Sequence, residues 1–335
     1  MTLLPSNFIS NKLIKKVSES VVAVNLGRYY IKGIIAKDGK IIDCFIERNS
    51  DLAKTLKKLW ADKKISAKKV KVSVKDPSCL VRCFPFPRMD KKKISQALYY
   101  ELNKFIPFAP EEVYFDHFIL KELSAKESII LIAVAKKEFI EGILNTFKEA
   151  SIKVSTISLD SICLVNILLA NHSESKDIDS CLLDIGYDFS TMTILDKGIP
   201  VLTRDVKIGT KDIFEVISRI NNLDMAAIEK WVMDPANNEK FLESAQESFS
   251  AICKEMKSSF DYFEVNKGGH IDKVFLSGGL ASAGGIAEVF SEHLDAPAVI
   301  LKAIPDRYKD AEKIFSDKKL NLSQEEFSVS FGLLV

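Results

Sequence analysis

Net charge is almost absent from this chain: 47 Lys and Arg against 46 Asp and Glu leave +1 at pH 7 over 335 residues. A dedicated nucleic-acid binder carries a strong basic excess, so that class is excluded as an expectation. The six cysteines (Cys44, Cys79, Cys83, Cys163, Cys181, Cys253) contain no CxxC pair. Several lie in apolar runs such as Ile162-Cys163-Leu164-Val165, the pattern of reduced, mostly buried thiols in a cytoplasmic protein. The four histidines are scattered at 117, 172, 270 and 293, so neither a zinc site nor a Ser-His-Asp arrangement is supported. The N-terminus lacks a sustained apolar core followed by a small-residue cleavage site, which argues against a signal peptide. The longest apolar run, Ile129 to Ala135, falls far short of the ~20 residues that span a bilayer. The expectation is a soluble, cytoplasmic chain.

Hydrophobic residues at 47% and charged residues at 28% supply ample core, and the length suggests about two domains. Lysines crowd one stretch: Lys54, Lys57, Lys58, Lys63, Lys64, Lys68, Lys69, Lys71 and Lys75. Solvated helix and loop faces are the expectation there, with an anionic membrane surface as the alternative.

A glycine-punctuated hairpin occurs twice. The first copy is Val22-Ala23-Val24-Asn25-Leu26-Gly27, then Tyr30 to Ala36, then Gly39; the second is Leu182-Leu183-Asp184-Ile185-Gly186, then Phe189 to Leu195, then Gly198. A constant offset of 159 residues separates Asn25 from Asp184, Gly27 from Gly186 and Gly39 from Gly198. A glycine turn after a buried strand leaves backbone N–H groups available and admits a ligand where a Cβ would stand. Two such turns facing each other make a phosphate clamp; two ordinary hairpins of an α/β protein are the alternative reading of the spacing alone.

Between the copies, Leu52 to Trp60 has helical spacing and Val70 to Val74 alternates as a strand. Asp90 is placed to cap a helix over 91–104 with Ile94, Leu98, Leu102 and Phe105 on one face, stopped by Pro107 and Pro110. Strands over Val113–Leu120 and Ser128–Ala135, a helix over Lys137–Ala150 and a strand over Val154–Ser158 follow, enough for a small inserted subdomain. The polar run from Asn171 to Asp177 reads as the junction between halves. Beyond the second hairpin come a helix opening at Ile208-Gly209-Thr210, a short helix capped by Asp224, and a long helix over 239–264. The apolar stripe of that long helix (Phe241, Ala245, Phe249, Ile252, Met256, Phe260, Phe263) fits a core helix, with a coiled coil as the alternative. The buried strand Val274-Phe275-Leu276-Ser277 then ends in Gly278-Gly279, a third candidate phosphate- or nucleoside-contacting turn, before a helix from Gly284 to His293.

Three glycine turns in this order resemble the actin and sugar-kinase superfamily. Within it the chain resembles the PilM family, actin-like cytoplasmic proteins of type IV pilus assembly, over roughly residues 20–335. The most specific stretch is Ile94-Ser95-Gln96-Ala97-Leu98-Tyr99-Tyr100-Glu101-Leu102-Asn103-Lys104-Phe105-Ile106-Pro107-Phe108, similar to a family segment ending in a bulky residue plus Ile-Pro-Phe. Asp184-Ile185-Gly186, Arg204 with Ile208-Gly209, Leu276-Ser277-Gly278-Gly279 and the end, Phe327 to Leu333, follow in the family order. The resemblance implies an α/β, duplicated actin-like (ribonuclease-H-like) fold, with two halves around a nucleotide cleft and a small inserted α+β subdomain. The expected division is 1–20 an N-terminal extension, 21–89 the first half, 90–155 the inserted partner-binding subdomain, 156–175 the return and junction, and 176–335 the second half.

The resemblance implies ATP or ADP with Mg²⁺ at Asn25, Gly27, Lys32, Asp184, Gly186, Ser190, Thr191, Gly209, Lys257, Ser277, Gly278 and Gly279, with Asp184 orienting a water on the metal. The first hairpin departs from the family: Asn25 replaces the usual acid, and Arg28-Tyr29-Tyr30 replaces small residues after Gly27. Weak or vestigial nucleotide binding is therefore the expectation, since phosphoryl transfer needs metal, phosphate and water positioned together. The implied role is a non-enzymatic scaffold at the inner face of the bacterial inner membrane, in a type IV pilus or related type II secretion machine. It would bind the N-terminal peptide of a PilN-type membrane protein near Phe105, Ile106 and Phe108, with self-association also open. An ATP-dependent kinase or ATPase of the superfamily, with Asp188 or Asp205 replacing the lost acid, is the alternative, as is an FtsA-like cell-division protein. Thr2-Leu3-Leu4-Pro5 resembles the Asn-Leu-Leu-Pro core of such a peptide and implies an arm that folds into the protein's own partner groove.

Overall fold

The computed structural model describes residues 20–67, 69–317 and 324–335; the expectation for the Thr2–Pro5 arm lies outside them. They form two compact units: one runs to Ile167 and takes in 304–317 and Val329–Val335, the other holds Leu168–Ala303 with 324–328.

In the first unit, β1 (Ser20–Leu26), β2 (Tyr30–Lys37) and β3 (Lys40–Arg48) form an antiparallel meander. Asp51 caps α1 (Leu52–Asp62) by accepting from Lys54 N at 3.1 Å, and Leu56 and Leu59 bury its inner face. β4 (Lys69–Val74) then lies parallel to β1. Val22, Ala23 and Val24 of β1 and Val72 of β4 are fully buried, each valine contributing about 1.5–3 kcal/mol.

The chain next builds a three-stranded sheet ordered β5-β7-β6 from β5 (Cys79–Pro87), β6 (Val113–Glu122) and β7 (Glu127–Lys136). α2 (Lys91–Glu101) and the 3-10 turn Leu102–Lys104 cover one face through Ile94, Leu98 and Leu102. This inserted sheet begins at Cys79, within the stretch assigned from sequence to the first half. Its first strand pairs with β7 along its whole length, which the alternation in β5 does not announce. Asp90 stands at the start of α2 without a side-chain capping bond. Its carbonyl alone receives Lys93 N and Ile94 N. α3 (Lys137–Glu149) leads back to β8 (Val154–Leu159), parallel to β4, and completes the sheet β3-β2-β1-β4-β8. α4 (Asp160–Asn171) follows directly, and the boundary between the units falls within it.

The second unit repeats this plan. β9 (Ser180–Ile185), β10 (Ser190–Asp196) and β11 (Ile199–Val206) precede α5 (Thr210–Asn221), α6 (Met225–Val232) and α7 (Asn238–Lys267). β12 (Lys273–Gly278), α8 (Ile286–Leu294) and β13 (Ala298–Ile300) complete a sheet ordered β11-β10-β9-β12-β13, the same path as in the first unit. The agreement reaches single residues. Asn25 faces Lys32 as Asp184 faces Thr191. A bulge falls at Ile35/Ala36 and again at Ile194/Leu195. Asp38-Gly39 and Lys197-Gly198 both turn through two successive left-handed residues, the geometry that a two-residue hairpin of this twist favours. α7 is a core helix: Phe241, Phe249, Ile252, Met256 and Phe263 are buried, and Phe249 packs 5.6 Å from Phe290 of α8.

The chain then returns to the first unit. The 3-10 segment Asp306–Ala311 and α9 (Glu312–Asp317) lie along β3, and α10 (Ser328–Gly332) ends the chain's helical part. The whole of 176–335 was expected in the second half, and this return corrects that expectation. Lys71, expected on a solvated face, donates its Nζ to Leu333 O at 2.7 Å, while Arg307 donates to Leu334 O. Two cations thus meet the carbonyl end of a helix, where they are favoured. Burial holds the Lys71 ammonium below its ordinary pKa. Lys63 is likewise paired, 2.9 Å from Asp43.

Candidate functional site

The first unit's turn is built at the C-terminal ends of β1, β4 and β8. Asn25, the next-to-last residue of β1, is only 7% exposed. Register places it beside Ser73 of β4. Its Nδ2 donates to Ser73 Oγ at 3.0 Å and to Asp160 Oδ2 at 2.9 Å. Asp160 follows β8 as the first residue of α4, where a carboxylate suits the helix dipole. A negative charge is therefore present in this turn, supplied from another element. Burial, and then the Asp160 charge, push the nearby Cys163 thiol far above its ordinary pKa. Asn49 ties the loop after β1: its Nδ2 reaches Gly27 O at 3.1 Å and its N reaches Tyr29 O at 2.8 Å. The Arg48 guanidinium lies 4.8 Å above the Tyr29 ring and hydrogen-bonds its hydroxyl. Tyr29 thus engages the end of β3, Tyr30 meets it edge-on at 4.9 Å, and Arg28 is exposed.

In the second unit Asp184 occupies the position of Asn25, 8% exposed, with Ser277 of β12 beside it where Ser73 stands in the first. The loop after β9 is closed by a helix instead of a side chain. Thr210 N donates to Gly186 O at 2.8 Å and Lys211 N to Tyr187 O at 3.0 Å. Those amides of α5 are engaged within the unit. Gly209 is required by the approach of this helix, because a Cβ there would stand 2.2 Å from Tyr187 O. Gly278 is required twice over: its φ is +102° and a Cβ would lie 2.2 Å from Ile185 O. At Gly279 nothing lies within 4 Å of a Cβ. Asp184, Gly186, Gly209, Ser277, Gly278 and Gly279 are thereby brought to one end of one sheet.

Other expected site residues have defined partners. Ser190 Oγ donates to Ile208 O at 2.7 Å, and Thr191 Oγ1 donates to Asp205 Oδ1 at 2.9 Å. Lys257, expected beside a nucleoside, sits 3.2 Å from Asp295 at the end of α8. Arg204 pairs with Glu255 at 2.6 Å and Ser259 at 3.2 Å, joining β11 to α7. Lys32 faces Asn25 across the hairpin. Ser73 and Asp160 escaped the sequence reading. Ser73 was legible in principle, since in both halves the strand parallel to the turn strand carries serine at its next-to-last position. Asp160 was hidden in a run, Leu159-Asp160-Ser161, that carries no glycine.

In the inserted sheet, Ile106 is 5% exposed and belongs to the core with Leu102 and Ile132. Phe105 and Phe108 are half-buried. Phe105 stacks on Phe84 of β5 with ring centres 3.6 Å apart, and Phe108 lies beneath Lys136 Nζ at 4.9 Å.

A sequence model described as "Type IV pilus assembly protein PilM" matches residues 9–335. The chain belongs to the PilM family. Among solved structures it is similar to one titled "PilM-PilN type IV pilus biogenesis complex", with 19% identity, a TM-score of 0.78, and 95% of this chain and 98% of that one covered. It also resembles the ethanolamine utilization protein EutJ from Carboxydothermus hydrogenoformans (11%, TM-score 0.57, 98% and 94% covered). MreB5 of Spiroplasma citri bound to ADP is a third (11%, TM-score 0.51, 90% and 97% covered). The fold of this PilM-family chain is thus the actin-like one implied by its repeated hairpins. Among its described residues no helix is long and apolar enough to cross a membrane.

Proposed function

We propose that this PilM-family chain is a scaffold of the pilus assembly machine, held at the inner membrane by the N-terminal peptide of a PilN-type partner, with nucleotide binding weak and turnover slow or absent. Membership of the family over residues 9–335 carries this reading. The similar structure is a complex of PilM with PilN, and the inserted sheet offers a surface for a peptide. There Phe105 and Phe108 are partly accessible while Ile106 supports them from the core. Tyr99 and Tyr100 extend the exposed aromatic surface of α2.

For a nucleotide, the second unit's residues fit. Asp184 offers a carboxylate suited to a hydrated hard cation, and the open space at Gly279 admits close approach of a ligand to backbone. Bound Mg²⁺ would supply charge neutralisation for phosphates. The first unit's turn fits less well, because the Asn25 amide is spent on Ser73 and Asp160. That asymmetry supports binding without efficient hydrolysis, and the tie between Thr191 and Asp205 argues against Asp205 as a substitute base.

Peptide capture tests the reading. A synthetic N-terminal peptide of the PilN-type partner should bind the full chain in calorimetry with micromolar affinity. Phe105→Ala with Phe108→Ala should weaken it at least about tenfold, the loss of a typical apolar anchor. Equal binding by the double variant would move the partner site elsewhere.

A further inference from the structure

Because the two five-stranded sheets are copies in register, each sheet end has an internal control. At the first unit's end opposite its glycine turn, the strands present a row of lysines. Lys40 of β3 pairs with Lys37 of β2, Lys37 pairs with Ser20 of β1, and Lys69 of β4 pairs with Val21. Lys153 immediately precedes β8, whose Val154 pairs with Val70. Lys64 lies in the connection that feeds β4. Lys37, Lys40, Lys64, Lys69 and Lys153 are all exposed. Five strands set this row across about 20 Å. Asp38, in the turn between Lys37 and Lys40, is an exposed acid beside them.

The matching end of the second unit mixes acids and cations. Asp196 stands where Lys37 stands in the first copy, and Asp179 and Asp272 flank β9 and β12, with Lys197, Lys273 and, beside the Gly198 turn, Lys176 as cations. Burial first, and then Asp196 and Asp272, raise the Asp179 carboxyl above its ordinary pKa. Lys273 repeats Lys69, whereas Lys37 and Lys40 correspond to Asp196 and Ile199, so the duplicated backbone does not dictate the lysine row.

We propose that this lysine end of the first unit rests on an anionic lipid surface of the phosphatidylglycerol type. The row is made of lysine without arginine. Lysine is a compact, strongly hydrated point charge suited to a diffuse anionic layer, whereas arginine serves bidentate recognition of individual phosphates. The row also lacks aromatic residues, which a single-stranded nucleic acid would stack upon. Its breadth across separate elements matches a surface more than a pocket. The inference rests on the pilus-scaffold reading in one respect, that the partner holds the chain beside a membrane.

Sedimentation of the full chain with vesicles tests it, without any peptide present. Vesicles of phosphatidylcholine with phosphatidylglycerol should capture the chain, pure phosphatidylcholine should not, and high salt should release it. The set Lys37→Glu, Lys40→Glu, Lys69→Glu and Lys153→Glu should lower capture at least about tenfold, electrostatic attraction being summed over the row. The milder Lys→Gln set at the same positions should weaken it in the same direction and guards against misfolding of the reversed set. Lys197→Glu with Lys273→Glu, at the matching end of the second unit, should leave capture unchanged. Equal capture by both vesicle types, capture by the reversed set at wild-type level, or loss only when residues 1–18 are removed would each overturn the proposal. So would failure of vesicle capture alongside self-association that the reversed set abolishes, which would make the row's occupant a second copy. Peptide capture measured without vesicles reports on the scaffold reading separately.

Discussion

The two glycine turns of this chain share a backbone and differ in how their charge is supplied. In the second unit the carboxylate is on the turn strand itself, as Asp184, and the loop is closed by the amides of α5. In the first, the strand carries Asn25, the carboxylate comes from Asp160 at the start of α4, and the loop is closed by Asn49 and Arg48. Strand order, register, bulge position and the serine beside the turn strand, Ser73 or Ser277, are repeated, while the turn-strand residue changes from Asn25 to Asp184. Backbone geometry in a duplicated fold is set by packing that both copies need. The turn-strand residue and the groups that close the loop are free of that constraint and differ between the halves.

The largest effect should come from the glycines. Gly278→Ala forces a Cβ into Ile185 O at a left-handed backbone angle, and about 3 kcal/mol of stability should be lost from the second unit in urea unfolding. Gly279→Ala meets nothing within 4 Å and should stay within about 0.5 kcal/mol of wild type. If the two variants unfold alike, the close approach of β12 to β9 is not what that glycine provides.

Making the first turn like the second should fail in an informative way. Asn25→Asp replaces a donor to Asp160 with a second carboxylate at 2.9 Å, and should destabilise by about 1–3 kcal/mol at neutral pH. One carboxyl of the pair would then have a folded pKa raised above its unfolded value, so the folded state binds more protons and the loss shrinks as pH falls toward about 5. Asn25→Asp combined with Asp160→Asn rebuilds an amide–carboxylate pair and should recover most of the stability, a coupling read by a double-mutant cycle. An Asn25→Asp protein as stable as wild type at pH 7 would show that Asp160 does not face residue 25. A smaller difference concerns ligand: Asp184→Ala should abolish Mg²⁺-dependent ATP binding in calorimetry, whereas Asp160→Asn should weaken it only a few-fold. The reverse ranking would make the first turn the metal-bearing one.

Much of this was legible in the sequence because periodic burial and glycine spacing are local signals. The repeated hairpins, the core stripe of α7 from Phe241 to Phe263 and the central strand at Ser128–Ala135 follow from alternation or helical spacing that packing left uncontested. What was missed depends on partners distant in sequence. β5 joins the inserted sheet through pairing with β7, which its own residues, interrupted by Pro85 and Pro87, do not reveal. Lys71 sits in a lysine-rich run, yet its strand neighbours are core and its ammonium meets a carbonyl near residue 333. Asp160 pairs with a residue 135 positions away. In the candidate site the glycines were legible, while the side-chain partners that distinguish one turn from the other were not.

ATP turnover of the full chain with Mg²⁺ and saturating partner peptide separates a scaffold with one impaired phosphate turn from an enzyme. A scaffold hydrolyses ATP at well below about 1 s⁻¹, under the ordinary enzymatic range, and retains peptide binding. Sustained turnover above that rate, lost on Asp160→Asn or Asp184→Ala, would contradict it and make the chain an enzyme.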